Sequence, residues 1–280
     1  MPTQRLFVLA VALAVALTLA TPVATASDSG DRARPLDRVS LWAGALNARS
    51  DTRFAFSADN DTWSGEGDFG LEDDLGLDRR ATVGHGRLDV LVGRANGLSL
   101  EYFGYARDTA HRLERRIEWD GQVFDTTADV SGAIEFGFAS AAWRWWMGEG
   151  ATVFGLGLGV AHYRVETAFD GEATVNGGTA SASLRTSDAA MAPLASLGWR
   201  HAFSERWRAY ADLSGVTRDS GPLQGHIVDA GVGFEWFPTR HWGLALEYGA
   251  THIRLDRVRG EGTLRFDLDL RGPSLFLRVR

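Results

Sequence analysis

Val228-Asp229-Ala230-Gly231-Val232-Gly233-Phe234-Glu235-Trp236 and, after a short polar break, Trp242-Gly243-Leu244-Ala245-Leu246-Glu247-Tyr248-Gly249 decide the fold class. In the first stretch Val228, Ala230, Val232, Phe234 and Trp236 fall on one side of an extended chain, and Asp229, Gly231, Gly233 and Glu235 on the other. In the second, Trp242, Leu244, Leu246 and Tyr248 oppose Gly243, Ala245, Glu247 and Gly249. Successive side chains of a strand point to opposite faces, so a period of two marks β-structure with two unlike faces. The pattern recurs at 153–161, where Phe154, Leu156, Leu158 and Val160 oppose Val153, Gly155, Gly157, Gly159 and Ala161. It recurs again at 98–107, where Leu98, Leu100, Tyr102 and Gly104 oppose Ser99, Glu101, Phe103, Tyr105 and Arg107. Gly155, Gly157 and Gly159 do not form a phosphate loop, because no helical pattern follows; alternate glycines fit a strand face crowded by large neighbours.

Working outward, the connections come in two kinds. Ala95-Asn96-Gly97, Gly148-Glu149-Gly150, Ser204-Glu205-Arg206 and Pro238-Thr239-Arg240 are very short turns, whereas longer polar connections are expected near 113–126, 168–186, 217–225 and 257–262. Trp143, Trp145, Trp146, Trp199, Trp207, Trp236, Trp242 and, less closely, Trp42 lie beside the short turns. Short turns at one end, long loops at the other and tryptophans banded at one level describe a transmembrane β-barrel with an interfacial aromatic girdle. The girdle is assigned to Trp143, Trp145, Trp199, Trp207, Trp236 and Trp242. The expected fold is all-β, a transmembrane antiparallel up-and-down β-barrel of ten strands, near 38–50, 80–94, 98–112, 127–147, 151–168, 186–203, 206–218, 224–237, 241–257 and 262–280. Eight or twelve strands are the alternatives, and the count turns on 51–79, which extends the first hairpin or adds two strands.

The beginning of the chain reads differently. A single charge, Arg5, precedes the apolar run Leu6–Ala20, and Ala24-Thr25-Ala26 places small residues where a signal peptidase cuts. The expected organisation is a signal peptide at 1–26, a short periplasmic segment at 27–37 and the barrel at 38–280. No apolar run after residue 26 is long enough to span a bilayer as a helix, so a membrane-spanning mature chain must close as a barrel. There is no cysteine, so neither a disulfide nor a lipid-anchored N-terminus is available. The formal charge is −7, or −8 without Arg5, which argues against nucleic acid as a partner. All 29 basic residues are arginine.

As a pattern, the mature sequence resembles outer-membrane β-barrel proteins of proteobacteria. Leu71-Glu72-Asp73-Asp74-Leu75-Gly76-Leu77-Asp78 resembles an acidic segment of an uncharacterised group in that class. The closing stretch Gly272-Pro273-Ser274-Leu275-Phe276-Leu277-Arg278-Val279-Arg280 is similar to the last strand of such barrels, although it ends on Arg280 where the class usually carries an aromatic. The resemblance implies a Gram-negative outer-membrane location. The partners it implies are membrane lipid, lipopolysaccharide and the barrel-assembly machinery. It implies no activity.

If the apolar faces meet lipid, the opposite faces line the lumen. These hold Arg87, Asp89, Glu101, Arg107, Arg200, Arg208, Asp212, Asp229, Glu235 and Glu247, and Arg144 joins them with Trp143 and Trp145 facing out, the reverse being the alternative for that strand. A ten-stranded barrel is narrow, so guanidinium and carboxylate groups of both signs should pair by charge-assisted bonds and plug the bore. No pair of the seven histidines stands at metal-ligand spacing and no H-E-x-x-H is present, so no metal or cofactor is expected. His111, His226 and His252, with Asp108, Asp219 and Asp229 near them in sequence, are the residues a hydrolase could use at the loop end. The acidic run Glu72, Asp73, Asp74 and Asp78 reads as a solvated loop, since calcium-loop spacing is absent. The expected role is structural or surface-interacting, with a narrow channel and an outer-membrane hydrolase as the alternatives.

Overall fold

The computed structural model describes residues 34–60, 63–73, 77–119, 122–175, 178–259 and 262–280. The expected leader and residues 27–33 of the segment after it lie outside the described residues, as do Asp74 and the side chain of His111. The described strands are β1 (Val39–Asn60), β2 (Trp63–Gly70), β3 (Arg80–Val92), β4 (Asn96–Trp119), β5 (Gln122–Met147), β6 (Thr152–Val175), β7 (Gly178–Ala202), β8 (Trp207–Arg218), β9 (Leu223–Trp236), β10 (Trp242–Arg259) and β11 (Gly262–Val279). Each pairs antiparallel with its sequence neighbour, apart from β2 and β3, and β1 pairs with β11 from Leu41↔Val279 to Ala58↔Gly262, closing the sheet.

Ten strands stand around the barrel, because β2 and β3 share one position beside β1. β3 pairs with β1 from Val39↔Val90 to Arg49↔Arg80, and β2 takes over from Arg53↔Gly70 to Asn60↔Trp63. Region 51–79 therefore extends the first hairpin rather than adding two strands to the wall. The loops expected at 113–126 and 168–186 are also corrected. The β4–β5 ladder runs on to Trp119↔Gln122 and the β6–β7 ladder to Val175↔Gly178. Backbone hydrogen bonds do not require apolar side chains, and a ladder that has left the lipid can be polar on both faces.

The faces of the wall invert along its height. On β10, Trp242, Leu244, Leu246 and Tyr248 face outward and are 40–61% exposed, while Glu247 and Thr251 face inward. Above them Ile253 and Leu255 face inward and are buried, and Arg254 is exposed. On β11 the outward residues Leu275 and Leu277 give way beyond Gly272-Pro273 to inward Leu270, Leu268 and Phe266, with Arg271 outward. The apolar exterior from Trp242 to Ala250 is about 27 Å along the strand, or about 20 Å tall at a tilt near 40°. A water-soluble protein rarely exposes so continuous an apolar surface.

Lumen glycines make room for large side chains. A Cβ on Gly155 would meet the Trp146 ring at 2.8 Å, and one on Gly233 would meet the Tyr210 ring at 2.6 Å and the Leu246 carbonyl at 2.7 Å. Gly137, on the outer face between inward Phe136 and Phe138, meets nothing within 4 Å. Gly233→Ala is expected to destabilise the barrel by about 1–3 kcal/mol through overpacking, and Gly137→Ala to change stability by less than about 0.5 kcal/mol, as read by urea unfolding in lipid vesicles.

Candidate functional site in the barrel interior

The lumen is built in layers from the short-turn end. The first joins the two ends of the described chain. Segment 34–38 turns inward, so that Pro35 is buried and Asp37 reaches the arginines of β8 and β11. Arg208 donates to both Asp37 oxygens, at 2.7 and 3.0 Å, in a two-pronged bond. Arg278 adds a bond at 2.8 Å, and Arg280 an ion pair at 3.5 Å. Arg278 also bonds Ser40 at 2.9 Å and pairs with the fully buried Glu235. Burial disfavours the Asp37 charge, but Arg278, Arg208 and Arg280 outweigh it and hold its carboxyl below the usual value of 3.8. Arg280 lies 3.8 Å from the centre of the Phe237 ring, so the terminal arginine packs by its guanidinium face where an aromatic would pack by its ring.

The second layer centres on Asp212 of β8. It accepts from Arg200 at 2.8 and 3.1 Å, Arg87 at 2.8 Å and Arg144 at 3.0 Å. Arg87 also donates to Asp89 at 2.9 Å, and Ser99 donates to the same oxygen at 2.7 Å. Trp42 follows, edge-on to Tyr210 at 5.3 Å and to Phe276 at 5.9 Å, with the Arg278 guanidinium 4.3 Å from its ring centre. Trp42 is thus a lumen residue and not part of a lipid-facing band. Trp146 also turns inward, 5.4 Å from the Arg200 guanidinium. Trp143, Trp145, Trp207, Trp236 and Trp242 are exposed on the outer face, and Trp199 is half-buried there.

The third layer is acidic. His85 and Glu101 bond at 2.8 Å, Thr251 donates to Asp229 at 2.6 Å, and the Glu247 carboxylate rests against Gly231. Beyond it the bore is mainly apolar. Phe103, Tyr105, Phe136, Phe138, Tyr163 and Phe266 join Leu, Ile, Val and Ala side chains in one buried cluster. An Arg257–Asp188 ion pair at 2.8 Å joins β10 to β7 at the loop side. The polar lumen expected from sequence is therefore concentrated in the short-turn half. The loop-side half has an apolar centre because its exterior is no longer in contact with lipid.

Of the residues singled out from sequence, Arg87, Asp89, Arg144, Arg200 and Asp212 meet in one network, while Arg208 and Glu235 join Asp37 and Arg278 in another. Glu101, Asp229 and Glu247 lie in the acidic layer. Arg107 stands apart, donating to Ser50 at 3.1 Å and to the Asp78 carbonyl at 2.5 Å. Glu72, expected in a solvated loop, turns into the barrel and accepts from Ser50 at 2.9 Å and the Thr52 amide at 2.7 Å. Asp73 pairs with Arg79. His226 and His252 do not converge with Asp229. Their rings are 5.6 Å apart on the outer wall, and His252 bonds Asp269. Asp37 and Arg278 escaped the sequence reading. Arg278 was findable, since it shares strand parity with Phe276 opposite Leu275 and Leu277; Asp37 is a lone acid before a strand and carried no such signal.

No protein-family model and no curated protein matches the chain. Among solved structures it is similar to the outer membrane protease OmpT from Escherichia coli, with TM-score 0.47 and 8% identity over 87% of this chain and 96% of that one. It is also similar to the outer membrane protein OprG from Pseudomonas aeruginosa, with TM-score 0.34 and 12% identity over 89% and 95%. A third is Ail, the attachment invasion locus protein of Yersinia pestis, with TM-score 0.30 and 10% identity over 84% and 97%. These are similarities of fold.

Two substitutions test the layers. Asp212→Asn leaves three guanidinium groups without their shared carboxylate and should cost about 3–5 kcal/mol, measured by urea unfolding in vesicles. For Asp37 the folded carboxyl is depressed, so its stabilisation is complete above pH 3.8 and is lost as pH falls toward the lower folded value. Asp37→Asn should lower stability at neutral pH by about 3 kcal/mol and flatten that acid limb of the stability-against-pH curve.

Proposed function

We propose that the chain is an exported outer-membrane barrel with a closed lumen and a structural or surface-interaction role. The observation that carries this reading is the filling of the bore. Paired arginines and carboxylates occupy its short-turn half and a buried aromatic and aliphatic cluster its loop-side half. A narrow channel would need a continuous polar path, and the apolar cluster lies across it. The outer face supports the membrane setting, with an apolar belt bounded by tryptophans and then by charge. Outer-membrane lipid and lipopolysaccharide are its surroundings in this reading, and the barrel-assembly machinery inserts it.

The surface role falls to the tall strands. β4, β5, β6 and β7 remain hydrogen-bonded to one another well beyond the apolar belt, from Trp119↔Gln122 through Thr126↔Val175 to Val175↔Gly178. The β3–β4 ladder ends at Gly84↔Gly104 and the β7–β8 ladder at Leu194↔Val216. A four-stranded sheet thus stands above its neighbours, and it offers the largest surface for contact outside the cell. Barrel inserted into a planar bilayer, with folding checked by the mobility shift of unboiled against boiled samples, should carry no current. Discrete conductance steps from inserted protein would overturn the closed-lumen reading.

A further inference from the structure

A cavity of about 30 Å³ lies beneath Asp37, walled by Arg87, Asp89, Arg144, Arg200 and Arg278. Four guanidinium groups and two carboxylates therefore face one small space. Arg87, Arg144, Arg200, Arg208, Arg278 and Arg280 are matched by Asp37, Asp89, Asp212 and Glu235. Glu101 stands opposite Arg87 in the β3–β4 ladder, but its carboxylate bonds His85. The cavity carboxylates are already engaged, Asp89 by Arg87 and Ser99 and Asp37 by three arginines. Two arginines of the wall keep a buried donor with no acceptor among the described residues, Arg87 at Nη2 and Arg144 at Nε. Arg144 is 5% exposed. A buried guanidinium donor left without an acceptor is costly, and an anion relieves it.

We propose that this cavity binds a small monovalent inorganic anion of chloride size. The volume sets the class, since a water needs roughly 10–15 Å³ by the same measure. The space takes a halide and excludes an organic anion as large as gluconate. Arg87, Arg144, Arg200 and Arg278 supply the charge, and the Ser40 and Ser99 hydroxyls line the wall. The bound anion acts as a counterion that completes the short-turn end of the plug.

The test uses barrel purified from membranes in detergent, with bromide as the probe. Crystals soaked in sodium bromide should show an anomalous peak in this cavity. The unfolding midpoint in sodium chloride should exceed that in sodium gluconate at equal ionic strength by about 3 °C, and the rise should saturate with chloride. Ser99→Val fills the space without removing an arginine and should abolish both the peak and the rise. Gly97→Ala adds a methyl to the same wall, where a Cβ would lie 3.3 Å from Trp146, and serves if Ser99→Val does not fold. Absence of bromide from the cavity, or a chloride effect unchanged in the variant that folds, would overturn the proposal.

Discussion

Everything inside this barrel follows from what lies outside it. A closed sheet in hydrocarbon must present apolar side chains to the lipid, and the two-residue period of a strand then sends the remaining residues into the lumen. Where the lumen receives charge, that charge is out of bulk water and must be met within the protein. Asp212, with three arginines around it, and Asp37, with three more, are two solutions to this requirement. Each carboxylate has several acceptor sites and each guanidinium several donors, so one acid can hold strands that are far apart in sequence. Arg87, Arg144 and Arg200 come from β3, β5 and β7.

The same constraint explains why the lumen changes character with height. Once the exterior of β1, β10 and β11 leaves the lipid, the outward positions become Arg53, Arg254 and Arg265, and the inward ones become Phe54, Leu255 and Phe266. The wall then behaves as an ordinary sheet around a hydrophobic core. On β11 the change occurs at Gly272-Pro273. There a Cβ on Gly272 would lie 2.2 Å from the Asn47 carbonyl, and proline has no amide hydrogen to give the ladder. One barrel thus stacks an inside-out segment beneath a conventionally packed one.

The ends of the described chain meet in the same scheme. A terminal aromatic would anchor the last strand by its ring; here Arg280 stacks on Phe237 and reaches the Arg240 and Glu205 carbonyls, while Asp37 binds it from the other side. Closure of β1 on β11 is therefore supported by side-chain charge as well as by main-chain hydrogen bonds.

By itself the sequence determined the fold class, an even-numbered wall and the outward face of most strands, while the pairing of β2 and β3 beside β1 decided that the number is ten. These are local properties: alternation at 228–236 and 242–249, and tight turns such as Ser204-Glu205-Arg206, are written over a few consecutive residues. It also placed Arg87, Arg144 and Arg200 on inward faces, because parity follows from neighbours along one strand. Tertiary structure alone decided that these three share Asp212 and that Asp37 folds back onto Arg208 and Arg278. It also decided that Trp42 and Trp146 turn inward, that His226 and His252 lie outside, and that 71–73 returns Glu72 to the lumen. Those outcomes depend on register, closure and the height of the lipid boundary, which bring together residues as far apart as Asp37 and Arg278 and leave no trace in any single stretch.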